Sequence, residues 1–163
     1  TGQCQCQPRV TGRTCREPLQ AHYFPSLHQY QFEAEDARTP NLVPLRYDFN
    51  STVFPGFSWR GYAVFSPIQD TIISQLTVEK PSVYHMILRY VNPLEETITA
   101  NIAITPEFFS NIATEQNFKV LLKPSRTPTF MTVSGPSESI PAPFVMDPGY
   151  WSVTIKSPKY FSL

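Results

Sequence analysis

The chain has 163 residues with 13 basic and 13 acidic side chains, so its formal net charge at pH 7 is zero. That balance gives no argument for nucleic acid or an anionic membrane surface as a partner, and no apolar run reaches the length of a membrane-spanning helix. Charged residues make up 16% of the chain, aromatic residues 13%, and there are 17 prolines. This composition is typical of a secreted all-β domain with many turns and excludes a disordered segment.

A short segment at the start holds all of the cysteines: Cys4, Cys6 and Cys15. The loop between them has too little apolar material to fold unless its ends are joined, which predicts a disulfide staple. An odd number leaves one cysteine either free or bonded to an upstream partner, and an oxidising compartment favours the upstream partner. A zinc site with His22 and His28 is the alternative, but the spacing matches no common zinc pattern.

Short apolar or alternating runs separated by turn residues fill the rest of the chain. They predict about ten strands and no helix. The predicted strands are His28–Glu35, Leu45–Phe49, Phe57–Phe65, Ile72–Val78, Val83–Val91, Thr97–Thr105, Phe118–Leu122, Thr129–Ser134, Phe144–Met146 and Gly149–Lys156. The regular spacing of the turn signals predicts an all-β fold, an antiparallel β-sandwich or jelly roll.

Three runs carry further expectations. The continuous apolar run Val83–Val91 predicts a central strand that is buried on both sides. The run Lys159–Leu163 resembles the opening of another strand, so we expect the domain to be truncated before its last strand. In Thr97–Thr105 every second residue is apolar, which predicts one buried face: Ile98, Ala100, Ile102 and Ile104.

Two motifs mark candidate surface sites. Asn50-Ser51-Thr52 is an N-glycosylation acceptor followed by turn residues, which predicts an exposed loop with a glycan on Asn50. The second motif is the acidic segment that contains Glu33 and Glu35. Calcium takes six to eight oxygen ligands, so these carboxylates are candidate calcium ligands, with a solvated strand edge as the simpler interpretation.

Sugar recognition is a further hypothesis. Trp59 and Arg60 would form a cation–π or glycan contact, and the alternative is a core tryptophan beside an arginine that extends into solvent. Basic residues on several strands would form a heparan sulfate patch if those strands adjoin, and scattered solubilising charges are the alternative. The basic residues concerned are Lys119, Lys123, Arg126, Lys156 and Lys159.

Catalysis is not expected. His22, His28 and His85 accompany no hydrolase or metalloprotease motif. The adjacent Glu95 and Glu96 would point to opposite faces of a strand, so they cannot flank one glycosidic bond. We therefore expect no enzyme and no cofactor beyond the calcium hypothesis.

The cysteine segment resembles the second half of a laminin-type EGF-like module, through the motif Thr1-Gly2-Gln3-Cys4-x-Cys6-x-Pro8-x-Val10-x-Gly12-Arg13-x-Cys15. In that family pattern Cys6 and Cys15 bond to each other, while Cys4 bonds to an earlier cysteine. The family usually has one more cysteine where this chain has Pro18, and laminin chains show such an interruption where a globular domain is inserted. The resemblance implies a disulfide-stapled stub over residues 1–18 and a globular domain over residues 19–163.

Four further segments carry a second resemblance: His22–Ala37, Phe57–Ala63, Leu88–Pro93 and Pro143–Trp151. Through them the rest of the chain resembles a short-arm globular domain of laminin alpha chains, closest to the alpha three and alpha five type. The resemblance implies a galactose-binding-like sandwich in a secreted basement-membrane glycoprotein, with a structural and adhesive role. The intact molecule would assemble with laminin beta and gamma chains through other regions, and receptors or heparan sulfate are candidate partners. A carbohydrate-binding module is the alternative function.

Overall fold

The computed structural model describes residues 6, 10–12, 17–18, 30–58, 60–107, 115–133 and 144–163. Backbone proximity divides the chain into two compact units, Thr1–Gln31 and Phe32–Leu163. The boundary predicted between residues 18 and 19 falls within the first unit, and it stays a prediction.

In the first unit, the described residues form a two-stranded antiparallel ladder. Strand β1 (Val10–Thr11) pairs with β2 (Glu17–Pro18). Cys6 is disulfide-bonded. Cys4 and Cys15 lie outside the described residues, so the pairing of Cys6 with Cys15 and the EGF-like character of this unit stay predictions.

The second unit is built from antiparallel strands and one turn of 3₁₀ helix at Ala34–Asp36. Its described strands are β3 (Tyr47–Asp48), β4 (Tyr62–Phe65), β5 (Thr71–Val78), β6 (Ser82–Tyr84), β7 (Ile87–Asn92), β8 (Ile98–Pro106), β9 (Gln116–Leu122), β10 (Ser125–Thr132), β11 (Phe144–Met146), β12 (Gly149–Lys156) and β13 (Phe161–Ser162). One sheet has the order β10-β7-β13-β4-β3, another has the order β5-β12-β8-β9, and β11 pairs with β6. The predicted all-β antiparallel fold is confirmed.

A single large apolar core joins the five-stranded and the four-stranded sheet into a sandwich. Its buried side chains include Phe65, Leu88, Tyr90 and Phe161 from the first sheet and Ile72, Trp151, Val153 and Ile155 from the second. The alternation predicted for β8 is confirmed, because Ile98, Ala100, Ile102 and Ile104 are each at most 1% exposed. Burying one such isoleucine contributes about 1.5–3 kcal/mol relative to leaving it in water.

A smaller apolar cluster lies on the outer face of the five-stranded sheet. Phe54, Tyr62 and Val91 are its buried members, and the Phe54 ring stacks on Tyr62 with a centroid distance of 5.1 Å. Val91 and Tyr62 belong to β7 and β4, whereas Phe54 comes from the segment between β3 and β4. That segment therefore covers part of the sheet.

The expected central strand Val83–Val91 is confirmed only for its second part, since β7 lies between β10 and β13 with Tyr90 and Val91 buried on opposite faces. Its expected continuity is wrong. The run divides into β6 and β7, which belong to different sheets. Val83 is 56% exposed and Ile87 is 62% exposed. A continuous apolar run predicts burial on both faces only when a second layer covers each face, and here one face of the run points to solvent at these two positions.

The expected strand His28–Glu35 is also wrong over its described part. Residues 30–33 form no strand, and the backbone then turns, with Asp36 N donating to Glu33 O at 3.1 Å and Ala37 N to Ala34 O at 3.2 Å. The alternation of Tyr30, Phe32 and Ala34 is misleading because it suggests the wrong buried face. Phe32 is 48% exposed, whereas Glu35 is 5% exposed.

Two predicted strands are confirmed only in part, since Leu45–Phe49 is reduced to β3 and Phe57–Phe65 to β4. Gly61 explains where β4 begins. Its φ is +151°, and a Cβ atom at this position would lie 2.2 Å from the Asp48 carbonyl oxygen. Only glycine permits β3 and the residue before β4 to approach so closely.

Gln69, in the turn that follows β4, connects β4 to Arg46, the residue before β3. Its side chain is buried, and its Oε1 atom accepts a hydrogen bond from Arg46 N at 2.7 Å. Its Nε2 atom donates to Arg46 O and to Val64 O, both at 2.8 Å. The buried amide is therefore satisfied by backbone groups of Arg46 and of Val64 in β4.

The strand predicted to open near the end of the sequence is confirmed as β13. It lies inside the five-stranded sheet, with Ser162 aligned to Val64 on one side and Val91 on the other. The Phe161 ring stacks on Phe65 at 4.2 Å between centroids. The predicted truncation before a last strand stays a prediction.

Candidate binding surface

The two sites predicted separately for calcium and for glycan lie together. Ser58 Oγ donates to Glu33 Oε2 at 2.6 Å, and the Arg60 guanidinium forms an ion pair with the Asp36 carboxylate. We name Glu33, Glu35, Asp36, Ser58 and Arg60 the acidic-turn cluster. Trp59, the other predicted glycan contact, lies outside the described residues.

Glu35 is the buried member of the acidic-turn cluster. It is 5% exposed, and its Oε1 atom has no hydrogen-bond partner among the described residues. Burial raises the pKa of the Glu35 carboxyl, the backbone N–H groups of Glu35 and Arg60 counteract this rise, and the nearby charges of Glu33 and Asp36 add to it. The fold thus favours the protonated, neutral form of this side chain.

Glu33 and Glu35 are the predicted calcium ligands. The described part of the chain contains no group of three or more histidine, cysteine, aspartate or glutamate side chains that could hold a metal ion. The Glu33 and Asp36 carboxylates already bind Ser58 and Arg60. Calcium requires six to eight oxygens, and the assignment of Glu33 and Glu35 as calcium ligands stays a prediction.

Arg60 also contacts an aromatic ring. Its guanidinium carbon lies 5.8 Å from the centroid of the Tyr47 ring, and Tyr47 is 45% exposed. The Arg60 and Asp36 side chains are 47% and 54% exposed, so water screens their ion pair. An accessible ring beside hydrogen-bonding groups is chemistry suited to stacking on a sugar.

A second arginine–aromatic arrangement occurs on the outer face of the five-stranded sheet. Arg89 lies 5.1 Å from the Phe54 ring centroid and 5.8 Å from that of Phe130. It donates to Gly56 O at 2.7 Å and to Pro55 O at 3.2 Å. Phe130 is 68% exposed, so an open ring surface remains beside a fixed guanidinium.

Arg89 and Phe130 are not among the binding residues predicted from the sequence. The available signal was a single charged residue in the middle of the apolar run Val83–Val91, which is unusual unless that residue has fixed partners. Those partners lie more than thirty residues earlier in the chain, at Pro55 and Gly56.

The five basic residues considered for heparan sulfate do not form one patch. Lys119 and Lys156 both align with Asn101 in the four-stranded sheet, so their side chains share its outer face about 10 Å apart. Lys159 instead pairs with Glu96 at 2.8 Å. Arg126 belongs to the other sheet, where it lines a cavity of about 300 Å³ with Glu95 and five other residues.

The Asn50 acceptor lies in an exposed turn after β3. Thr52 N and Thr52 Oγ1 both donate to Asn50 Oδ1, at 3.0 and 2.7 Å.

No helix in the described residues is long and apolar enough to cross a membrane.

Solved structures with the same fold include carbohydrate-binding domains. A Podospora anserina GH26-CBM35 β-(1,4)-mannanase aligns with 80% of this chain and 25% of its own at a TM-score of 0.55 and 18% identity. A ruminal GH26 endo-β-1,4-mannanase aligns with 86% of this chain and 25% of its own at 0.57 and 15%. A CBM35 from Cellvibrio japonicus Abf62 aligns with 72% of this chain and 78% of its own at 0.51 and 14%. The second unit is therefore a β-sandwich with the fold of CBM35 modules.

Sequence relatives identify the family more closely, although no protein-family model matches the chain. The chain is 45% identical to a laminin subunit alpha of Drosophila melanogaster over 98% of its length. It is 39% identical to laminin subunit alpha-3 of Homo sapiens over 96% of its length. The chain belongs to the laminin alpha family, and it spans only 4% and 5% of the length of these two relatives.

Proposed function

We propose that this chain is a non-catalytic structural module of a secreted, basement-membrane laminin. It spaces and orients EGF-like rod segments and supports matrix assembly and cell adhesion. The observation that carries this proposal is the 45% identity to a laminin alpha subunit along nearly the whole chain. The beta and gamma chains would join the intact molecule through other regions.

The packing of the second unit suits a spacer. Both large sheets share one core, and β13 fills an interior position of the five-stranded sheet. Sliding such a strand requires breaking backbone hydrogen bonds on both of its sides, which resists local opening. A sandwich of this kind keeps its dimensions under load better than a flexible linker does.

The spacer proposal is tested in a secreted laminin heterotrimer whose alpha chain lacks residues 32–163. A second variant replaces them with an unrelated β-sandwich of similar size. We expect the deletion to shorten the arm in electron micrographs and to reduce matrix deposition, and the replacement to restore both. If the native module restores arm length and matrix deposition but the unrelated sandwich does not, a purely spacing role is contradicted.

A carbohydrate-binding role is the second candidate. The observation that favours it is an exposed aromatic ring beside an arginine at two places, Tyr47 with Arg60 and Phe130 with Arg89. Aromatic faces with adjacent polar donors are the usual means of binding sugar rings. Lys119 and Lys156 lie on the outer face of the four-stranded sheet, so they would offer heparan sulfate a separate cationic surface.

A glycan array that includes heparan sulfate tests this second candidate. Saturable binding that Tyr47→Ala or Phe130→Ala reduces at least about tenfold, equivalent to roughly 1.4 kcal/mol, would support it. Tyr150→Ala is the matched control, since Tyr150 is 56% exposed but lies on the other sheet. Equal loss in all three variants, or no binding, would count against sugar recognition.

A further inference from the structure

The turn after β3 presents Asn50 with its amide in a defined orientation. The Asn50 Oδ1 atom accepts two hydrogen bonds from Thr52, one of them from the hydroxyl at 2.7 Å. In the described part of the chain, no hydrogen bond engages Asn50 Nδ2, the atom that carries an N-linked glycan. The acceptor motif thus has an exposed asparagine, an oriented amide and an accessible nitrogen.

This turn is anchored to the sandwich. The Asn50 carbonyl oxygen accepts hydrogen bonds from Val53 N at 3.0 Å and Phe54 N at 3.1 Å. It also accepts one from the Tyr62 hydroxyl at 3.3 Å. Because Phe54 is buried against Tyr62, the backbone at Asn50 is held against β4. A group attached to Asn50 would therefore leave the protein from a fixed point.

Two exposed aromatic residues precede Asn50 closely in the sequence. Phe49 is 72% exposed and Tyr47 is 45% exposed. Tyr47 belongs to β3, and Phe49 directly follows it. Among the described residues, β3 is an edge strand of the five-stranded sheet. Apolar side chains at the end of a sheet invite association with other chains unless something covers them.

We propose that Asn50 carries an N-glycan whose first N-acetylglucosamine packs on the ring of Phe49 and covers this end of the sheet. In the modification, an Nδ2–C1 bond to the sugar forms, the C1–O bond to the lipid diphosphate of the donor oligosaccharide breaks, and the amide loses one proton. The proposal rests on the proposed secretion of the chain. A sugar suits this surface because the acceptor lies within it, directly after Phe49 in the sequence.

The experiment secretes the 163-residue chain from mammalian cells as wild type, Thr52→Ala, Ser51→Ala and Phe49→Ser. Mass spectrometry gives the occupancy of Asn50. We expect glycan on the wild type, on Phe49→Ser and on the matched control Ser51→Ala, which keeps the acceptor motif, and none on Thr52→Ala. Secreted wild type without glycan would overturn this proposal and leave the proposed function intact, whereas failure of laminin secretion would affect both.

The packing is tested on glycoprotein trimmed to a single N-acetylglucosamine. We expect nuclear Overhauser contacts between the sugar protons and the Phe49 ring, and their loss in Phe49→Ser at unchanged occupancy. Complete enzymatic removal of the glycan should lower the melting temperature of the wild type and leave that of Phe49→Ser unchanged. A dimer that forms only after removal, and that Phe49→Ser abolishes, would also support coverage. An occupied Asn50 without contacts to Phe49 would overturn the packing.

Discussion

The two arginine–aromatic contacts look alike but are held differently. Arg60 and Arg89 each lie 5.8 Å from an exposed ring, Tyr47 and Phe130 respectively. Arg60 pairs with an exposed carboxylate, whereas Arg89 donates to two backbone carbonyls and also lies over the buried ring of Phe54. Arg60 therefore remains available to a ligand, whereas Arg89 holds the segment between β3 and β4 against the sheet.

The largest effect is expected at Gly61, next to Arg60. Gly61→Ala should destabilise the domain by more than about 3 kcal/mol, because backbone strain adds to a collision with the Asp48 carbonyl. Gly149→Ala is the matched control, since its φ is +147° but no described atom lies within 4 Å of the added Cβ. It should cost about 1–3 kcal/mol from strain alone. Urea unfolding measures both, and equal losses would contradict the steric argument.

The next effect is expected at Arg89. Arg89→Ala should lower the free energy of unfolding by about 1–3 kcal/mol, because two hydrogen bonds and two cation–π contacts are lost. Arg89→Lys keeps the charge but not the forked donor geometry, so it should recover less than half of the loss. Full recovery with lysine would mean that charge alone matters. Urea unfolding followed by tryptophan fluorescence makes the comparison.

A smaller effect depends on pH at Glu35. An acid whose pKa is raised on folding binds more protons in the folded than in the unfolded state between the two pKa values. Stability contributed by this group therefore falls as pH rises from the ordinary value of 4.5 through the raised value, and the penalty persists above it. Glu35→Gln should be stabilised relative to wild type at pH 7 and lose that advantage towards pH 4. Urea unfolding measures both proteins across this pH range. If their free energies of unfolding differ by the same amount at every pH, the raised pKa of Glu35 is contradicted.

The smallest effect is expected at Arg60. Arg60→Ala should change the free energy of unfolding by only about 0–1 kcal/mol, because water screens the pair with Asp36. The residual effect should shrink further in high salt. A loss as large as that of Arg89→Ala, measured side by side, would remove the distinction between the two arginines.

The sequence predicts well where side-chain periodicity alone determines burial. The alternation of β8 is confirmed residue by residue, and the predicted strand Gly149–Lys156 has the observed bounds of β12. The acidic turn escapes this reasoning, because its buried residue is the glutamate Glu35, whereas Phe32 is 48% exposed. A period of two cannot reveal which face another layer will cover.

The candidate surface was only partly predictable for a related reason. Arg60 and Glu33 could be identified as polar residues in suitable segments, but the pairing of Arg60 with Asp36 joins residues that lie 24 positions apart. Arg89 meets Gly56 across 33 positions. Such contacts depend on the order of strands in the sheet, which local patterns in a single sequence do not specify.

Gln69 shows that the hydrogen bonds that hold a sheet together differ in their sensitivity to mutation. An ordinary rung between strands is made of main-chain groups, so most substitutions leave it intact. At Arg46, the residue before β3, the connection to β4 is made instead by the Gln69 side-chain amide, which makes three hydrogen bonds. A single codon change at Gln69 can therefore remove this connection, whereas hydrogen bonds between main-chain groups are lost mainly on substitution by proline.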